Sequence, residues 1–162
     1  ELFRNLGAST NPVRFRDEAE AAGVAAVGFV KGVIWGDYNN DGRLDLYISR
    51  YGENERNMLF QNRGDESGRW HFVDVAVEAG VTGPDYSFPT WFWDYDNDGW
   101  EDLFMAGYNG NVDDVIAGYL GLPHAAETPK LYRNMGDGTF EDAVTTFKGL
   151  RLADRMWKVE SR

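Results

Sequence analysis

The segment GVIWGDYNNDGRLDLYIS at residues 32–49 returns as PTWFWDYDNDGWEDLFMA at residues 89–106, an offset of 57 residues. A second landmark recurs in the same order: LFRN ending at Asn5, LFQN ending at Asn62 and LYRN ending at Asn134. A third is an aromatic residue two positions before an aspartate, at Phe15 and Asp17, Phe72 and Asp74, and Phe140 and Asp142. Each leads toward a glycine, at Gly23, Gly80 and Gly149. Three landmarks in fixed order define a repeat, and an internal repeat constrains the fold before any single residue does.

Within the unit, short β-type runs dominate. Leu44, Leu46 and Ile48 alternate with Asp45, Tyr47 and Ser49, a pattern of half-buried strands, and Val33 and Trp35 alternate with Ile34 and Gly36. Residues 58–61 and 70–73 read as two further strands around a loop. In the third unit that loop shortens to Met135-Gly136-Asp137-Gly138-Thr139, where Asp-Gly predicts a hairpin because both residues tolerate positive φ. The stretches 18–22 and 76–79 read as single helical turns stopped by Gly23 and Gly80. The second unit is longer, its surplus lying mostly in residues 108–129, an insertion loop with a short helix expected around Asp114 to Leu120.

Four short strands per unit describe a blade of a β-propeller. The fold class expected is all-β: a partial propeller of about two complete four-stranded antiparallel blades plus the tail of a preceding one. Residues 1–24 form that tail, 25–81 the first complete blade, 82–150 the second, and 151–162 a C-terminal extension or the start of the next blade. Propellers close with about 4 to 8 blades. Closure is therefore expected from the remaining blades of a longer chain or from several assembled copies, and the repeat limits favour the first.

Composition narrows the function. The 162 residues carry 16 basic and 27 acidic side chains, a net charge of −11, with 43% hydrophobic residues and no cysteine. A globular core is compatible with this balance, while nucleic acid and anionic membranes are disfavoured as partners. Disulfides, thiolate metal sites and cysteine nucleophiles are excluded. No run approaches the roughly 18 apolar residues of a membrane span, so no membrane insertion is expected.

Much of the acidity falls in two loops, Asp37 to Asp45 and Asp94 to Asp102, both of the form D-x-[DN]-x-D-G-x-x-D. Oxygen-bearing side chains at alternate positions converge on one ion only if the chain curls tightly, and glycine at the sixth position permits that turn. The expected ligands are Asp37, Asn39, Asp41, the Arg43 carbonyl and Asp45 in the first loop. In the second they are Asp94, Asp96, Asp98, the Trp100 carbonyl and Asp102. A hard, flexible, all-oxygen shell selects calcium, giving two sites. The bland alternative is a pair of solvated acidic turns; it leaves several carboxylates in mutual repulsion worth about 1 to 4 kcal/mol per close pair. Neutral Asn39 stands where the second loop has Asp96, so the first site is expected to be the weaker. An EF-hand is rejected because the twelfth positions are Ile48 and Met105, both in strand-like runs.

The order of DYNNDGRLDLYIS or DYDNDGWEDLFMA, then LFQN or LYRN, then NMGDGTFED resembles the FG-GAP or VCBS repeats of calcium-binding β-propellers. The nearest likeness is to the cartilage acidic protein (ASPIC/UnbV-type) group, with the integrin α-subunit propeller more distant. The resemblance implies a seven-bladed ring, calcium in the inter-strand loops, and an extracellular, cell-surface or periplasmic setting. It implies a non-catalytic module whose loops hold a protein or glycan, with a role in cell adhesion among the possibilities. The alternative is the propeller part of a carbohydrate-active enzyme such as a polysaccharide lyase.

Other candidates are weaker. Arg63-Gly64-Asp65 spells an integrin-recognition tripeptide, but Asn134-Met135-Gly136-Asp137 occupies the same place in the third unit, so turn chemistry accounts for it. His71 and His124 read as a sheet-face and a loop residue. No nucleophile triad, phosphate loop or zinc spacing is visible, so no catalytic residue is assigned. Trp91, Phe92 and Trp93, with Tyr86 and Phe88, read as blade packing, whereas Trp100, Tyr108 and Tyr119 are expected to be exposed.

Overall fold

The computed structural model describes residues 1–7, 12–64, 68–107, 112–120, 122–125, 127 and 129–143. Asp65, Tyr108 and the extension 151–162 lie outside these residues, and so does the side chain of Tyr119. The fold is mostly β, with three antiparallel sheets, and fits a partial β-propeller. A two-stranded sheet pairs β1 (Phe3–Asn5) with β2 (Phe15–Asp17). The next sheet is a four-stranded meander of β3 (Val30–Gly36), β4 (Asp45–Arg50), β5 (Met58–Asn62) and β6 (Phe72–Asp74). The last repeats it with β7 (Ser87–Trp93), β8 (Asp102–Gly107), β9 (Lys130–Asn134) and β10 (Phe140–Asp142).

One helical turn links each sheet to the next: α1 (Ala19–Ala22) and α2 (Ala76–Ala79). Both end on a glycine in the left-handed region, Gly23 at φ 84° and Gly80 at φ 78°, as the sequence predicts. Asp17 and Asp74 explain the third landmark, since each accepts a hydrogen bond from the first helical amide, of Ala19 at 3.0 Å and of Ala76 at 3.1 Å. In the insertion, α3 runs Val112–Tyr119, starting two residues before the expected helix.

The hydrophobic pattern needs one correction. Strand β4 is buried along its whole length rather than on one face. Leu46 and Ile48 pack with Phe60, Phe72 and Ala19 of α1, while Tyr47 packs with Leu59, Val81, Leu103 and Met105. A sheet sandwiched between neighbours has two apolar faces, so alternation in such a strand marks which neighbour is met, not inside against outside. The expected hairpin joins β9 and β10, with positive φ at Gly136 and Gly138 and not at Asp137. Asp137 instead accepts from the Thr139 amide at 3.0 Å and from the Thr139 hydroxyl at 2.6 Å, an Asx turn that leaves its own backbone relaxed.

The two four-stranded sheets meet through buried side chains and a polar seam. Gly36 is required there because a Cβ at that position would lie 2.5 Å from the Phe92 ring and 2.4 Å from Glu101 Oε2. Ser49 Oγ donates to the Phe88 carbonyl at 2.7 Å, and Tyr47 OH donates to the Val81 carbonyl at 2.9 Å. Asn57, fully buried, joins three segments. Its Oδ1 accepts from the Arg50 amide at 2.8 Å, its Nδ2 donates to the Gly83 carbonyl at 2.9 Å and Ser87 Oγ at 2.8 Å, and its amide donates to the Thr82 carbonyl at 2.9 Å.

The aromatic cluster divides. Phe92 packs inward against the core as expected, but Trp91 and Trp93 lie on the opposite face, both exposed and stacked at 5.9 Å between ring centres, with Trp91 on Phe104 at 4.4 Å. Alternation along β7 places the two tryptophans together on the face turned away from β3 to β6.

Candidate metal centre

Each acidic loop joins the first two strands of its meander, between β3 and β4 and between β7 and β8. The two have the same backbone. Asn40 at φ 54° and Asn97 at φ 60° occupy the left-handed region at the fourth position, and Gly42 at φ 81° and Gly99 at φ 90° at the sixth. No atom lies within 4 Å of a Cβ built on either glycine, so φ, not space, selects them. The alternating-oxygen pattern gives these asparagines no ligand role; their tolerance of positive φ is the signal that marks them.

The first aspartate of each loop fixes the curl. Asp37 accepts from the amides of Asp41 at 3.0 Å and Gly42 at 2.9 Å, and Asp94 accepts from those of Asp98 at 3.0 Å and Gly99 at 2.9 Å. The third aspartate repeats the device, Asp41 accepting from the Arg43 amide at 2.9 Å and Asp98 from the Trp100 amide at 3.0 Å. A carboxylate has about four lone-pair sites, so an amide hydrogen bond leaves room for further coordination.

The last aspartate is positioned by the Asn of the LFQN and LYRN landmarks. The Asn62 amide donates to Asp45 at 2.7 Å and the Asn134 amide to Asp102 at 2.8 Å. Their side chains donate to the carbonyl just before that aspartate, Asn62 to Leu44 at 3.2 Å and Asn134 to Glu101 at 3.0 Å. These asparagines belong to the site, although the sequence presents them only as repeat markers.

The two centres differ in how far their carboxylates converge. Among the described residues, Asp94, Asp96 and Asp102 are brought together, each with an oxygen within 4.8 Å of the others. Asp37, Asp41 and Asp45 do not form such a group. Asp98 stands apart from the three, held by Arg133, whose guanidinium bonds Asp96 at 2.8 Å and Asp98 at 3.1 Å. In the first loop Arg43 turns its side chain back onto Asp41 at 2.6 Å and the Asn62 carbonyl at 2.8 Å, while Asn39 Nδ2 donates to Asp41 at 3.0 Å. Trp100 is not an open platform. It is half-buried against the Gly136 backbone, where a Cβ would come within 2.9 Å of the indole.

Burial sets the electrostatics. Asp45 and Asp102 are both fully buried, and Asp45 Oδ2 has no hydrogen-bond partner. Burial pushes the Asp45 carboxyl up to about 7, with the charges of Asp41 and Asp37 adding to it and the Asn62 and Tyr38 amides opposing. Asp102 is raised for the same first reason, opposed by the Asn134 and Tyr95 amides. Arg133 is held further toward its charged form, chiefly by Asp96. Because the folded Asp45 pKa lies above its unfolded value, its contribution to stability is full below about pH 4 and is lost as pH rises through about 7. In chelating buffer, urea midpoints should therefore fall across that window. Asp45→Asn, which keeps an oxygen for the Asn62 amide, should flatten the decline.

The repeated loops, with their glycine and asparagine turns and flanking meanders, are the feature to compare with known proteins. Residues 37–105 match the FG-GAP-like repeat. No curated protein matches the chain. The match runs from the first residue of the first loop into β8, and so takes in both acidic loops. An FG-GAP repeat points to a β-propeller-type interaction module.

Proposed function

We propose that the chain is a calcium-binding propeller segment, non-catalytic, whose loops present a surface to a protein or glycan partner outside the cell or in its envelope. Residues 25–81 and 82–150 are its two complete blades, within the cartilage acidic protein type of the FG-GAP family. The convergence of Asp94, Asp96 and Asp102 carries this reading. The partnerless, fully buried Asp45 Oδ2 supports it at the first loop, since a buried carboxylate oxygen without a donor is costly unless a cation meets it. Calcium would supply that charge, held by Asp94, Asp96, Asp98, Asp102 and the Trp100 carbonyl, and in the first loop by Asp37, Asn39, Asp41, Asp45 and the Arg43 carbonyl. Arg133 already neutralises part of the second cluster, and recruiting Asp98 requires that guanidinium to give up one bond.

Calcium's role is structural: it ties each loop to its own blade and fixes the surface between blades. Isothermal titration should show two binding events of unequal affinity, the tighter at the second loop. Asp98→Ala should weaken binding more than Asn39→Ala. Absence of heat at millimolar calcium would remove the assignment.

A further inference from the structure

The two acidic loops are fastened to each other. Glu101, the eighth residue of the second loop, turns its carboxylate across the seam and accepts from the Asp37 amide, where the first loop begins. It reaches that place because Gly36 has no side chain: a Cβ there would lie 2.4 Å from Glu101 Oε2. Asn40 Nδ2 donates to the Gly99 carbonyl at 3.0 Å. Asn134 Nδ2 donates both to the Tyr38 carbonyl at 2.7 Å and to the Glu101 carbonyl at 3.0 Å, while its amide holds Asp102 at 2.8 Å. The Tyr38 side chain is buried at 2% exposure, with its ring 5.7 Å from Phe140 of β10. Asp37, Tyr38 and Asn40 of the first loop are therefore each held by a residue of the second loop or of β9.

The arrangement has a direction. It ties the opening residues of the first loop to the closing residues of the second, Gly99 to Asp102. In the first loop the place of Glu101 is taken by Leu44, which has no acceptor to offer. The loops also differ in readiness. Asp94, Asp96 and Asp102 already converge, whereas Asp37, Asp41 and Asp45 form no such group and the fully buried Asp45 Oδ2 has no hydrogen-bond partner.

We propose, on the calcium reading given above, that Glu101 and Asn134 are positioning residues for the first site, so that an ion in the second loop prepares the first loop and the two fill in that order. An ion held by Asp102 and the Trp100 carbonyl fixes the stretch from Gly99 to Asp102. With it are fixed the acceptors and donors that hold Asp37, Tyr38 and Asn40. Part of the ordering entropy of the first loop is then met before its own ion arrives, which is positive coupling without a change of fold. Such coupling is reciprocal and is worth about tenfold in affinity.

The Gly42 and Gly99 amides, bonded to Asp37 and Asp94, report the two loops separately in an amide-resolved NMR titration of the full chain with calcium. Gly99 should respond first. Asp96→Ala removes a ligand of the second loop whose own bond is to Arg133, leaving every link between the loops in place. It should raise the Kd read at Gly42 about tenfold. Glu101→Leu, which installs the residue of the first loop, should weaken binding at Gly42 severalfold and leave Gly99 unchanged. Glu101→Gln keeps an acceptor for the Asp37 amide and should restore Gly42. Equal weakening at both glycines in Glu101→Leu would mark a general loss of structure and overturn the proposal. Two saturable titrations with Gly42 indifferent to Asp96→Ala would overturn it too, while leaving the calcium reading intact. No response at either glycine in millimolar calcium would remove both.

Discussion

Adding calcium to chelator-treated protein is expected to raise its melting temperature by about 10 to 20 °C. A site with free ion a hundredfold above its dissociation constant stabilises the folded state by about 2.7 kcal/mol, so two sites contribute about 5 kcal/mol. For a chain of this size each kcal/mol is worth about 2 to 4 °C. Asp102→Asn is the sharper probe. It keeps an acceptor for one of the two amides that bond the carboxylate, Asn134 on Oδ1 at 2.8 Å and Tyr95 on Oδ2 at 2.9 Å, while removing the charge that converges with Asp94 and Asp96. About half of the calcium-induced shift should disappear. Magnesium should not replace calcium, because it demands near-ideal octahedral geometry and gives up water reluctantly. An identical melting temperature in calcium and in chelator would refute the structural role given to the ion.

The second large effect concerns no ligand. Asn57→Ala is expected to cost about 3 to 4 kcal/mol and to lower the melting temperature by about 10 °C, since truncation leaves the Arg50 amide and the Gly83 carbonyl buried without that partner. Asn57→Asp should be no better. It keeps the acceptor facing Arg50 but replaces the donor facing Gly83 and Ser87 with an oxygen. Differential scanning calorimetry of the two variants, with far-UV circular dichroism to check that strands remain, tests this. A loss under 1 kcal/mol for both would show that the inter-sheet seam rests on apolar contact alone.

The repeat, the order of strands and the turning points of both loops were legible because each is written in a few contiguous residues. The match at residues 37–105 covers the same stretch that the 57-residue offset singles out. Three misreadings share one physical origin. Strand β4 is buried on both faces, Trp91 and Trp93 stack outside instead of packing between sheets, and Trp100 is covered by Gly136. Each depends on which sheet lies against which face, and a strand's alternation cannot state that. Arg133 joins the second centre across 35 residues from Asp98, and Asn134 reaches Tyr38 across 96. No local pattern announces such partners.

The sequence by itself determined the repeating unit, its β character and the two curled acidic loops, because φ preferences, glycine placement and side-chain spacing act over a handful of bonds. Only the tertiary structure decided which carboxylates converge and that the Arg133 guanidinium sits beside them. Those outcomes follow from stacking one sheet on the next, which brings together residues far apart in the chain and sets how much water each can reach.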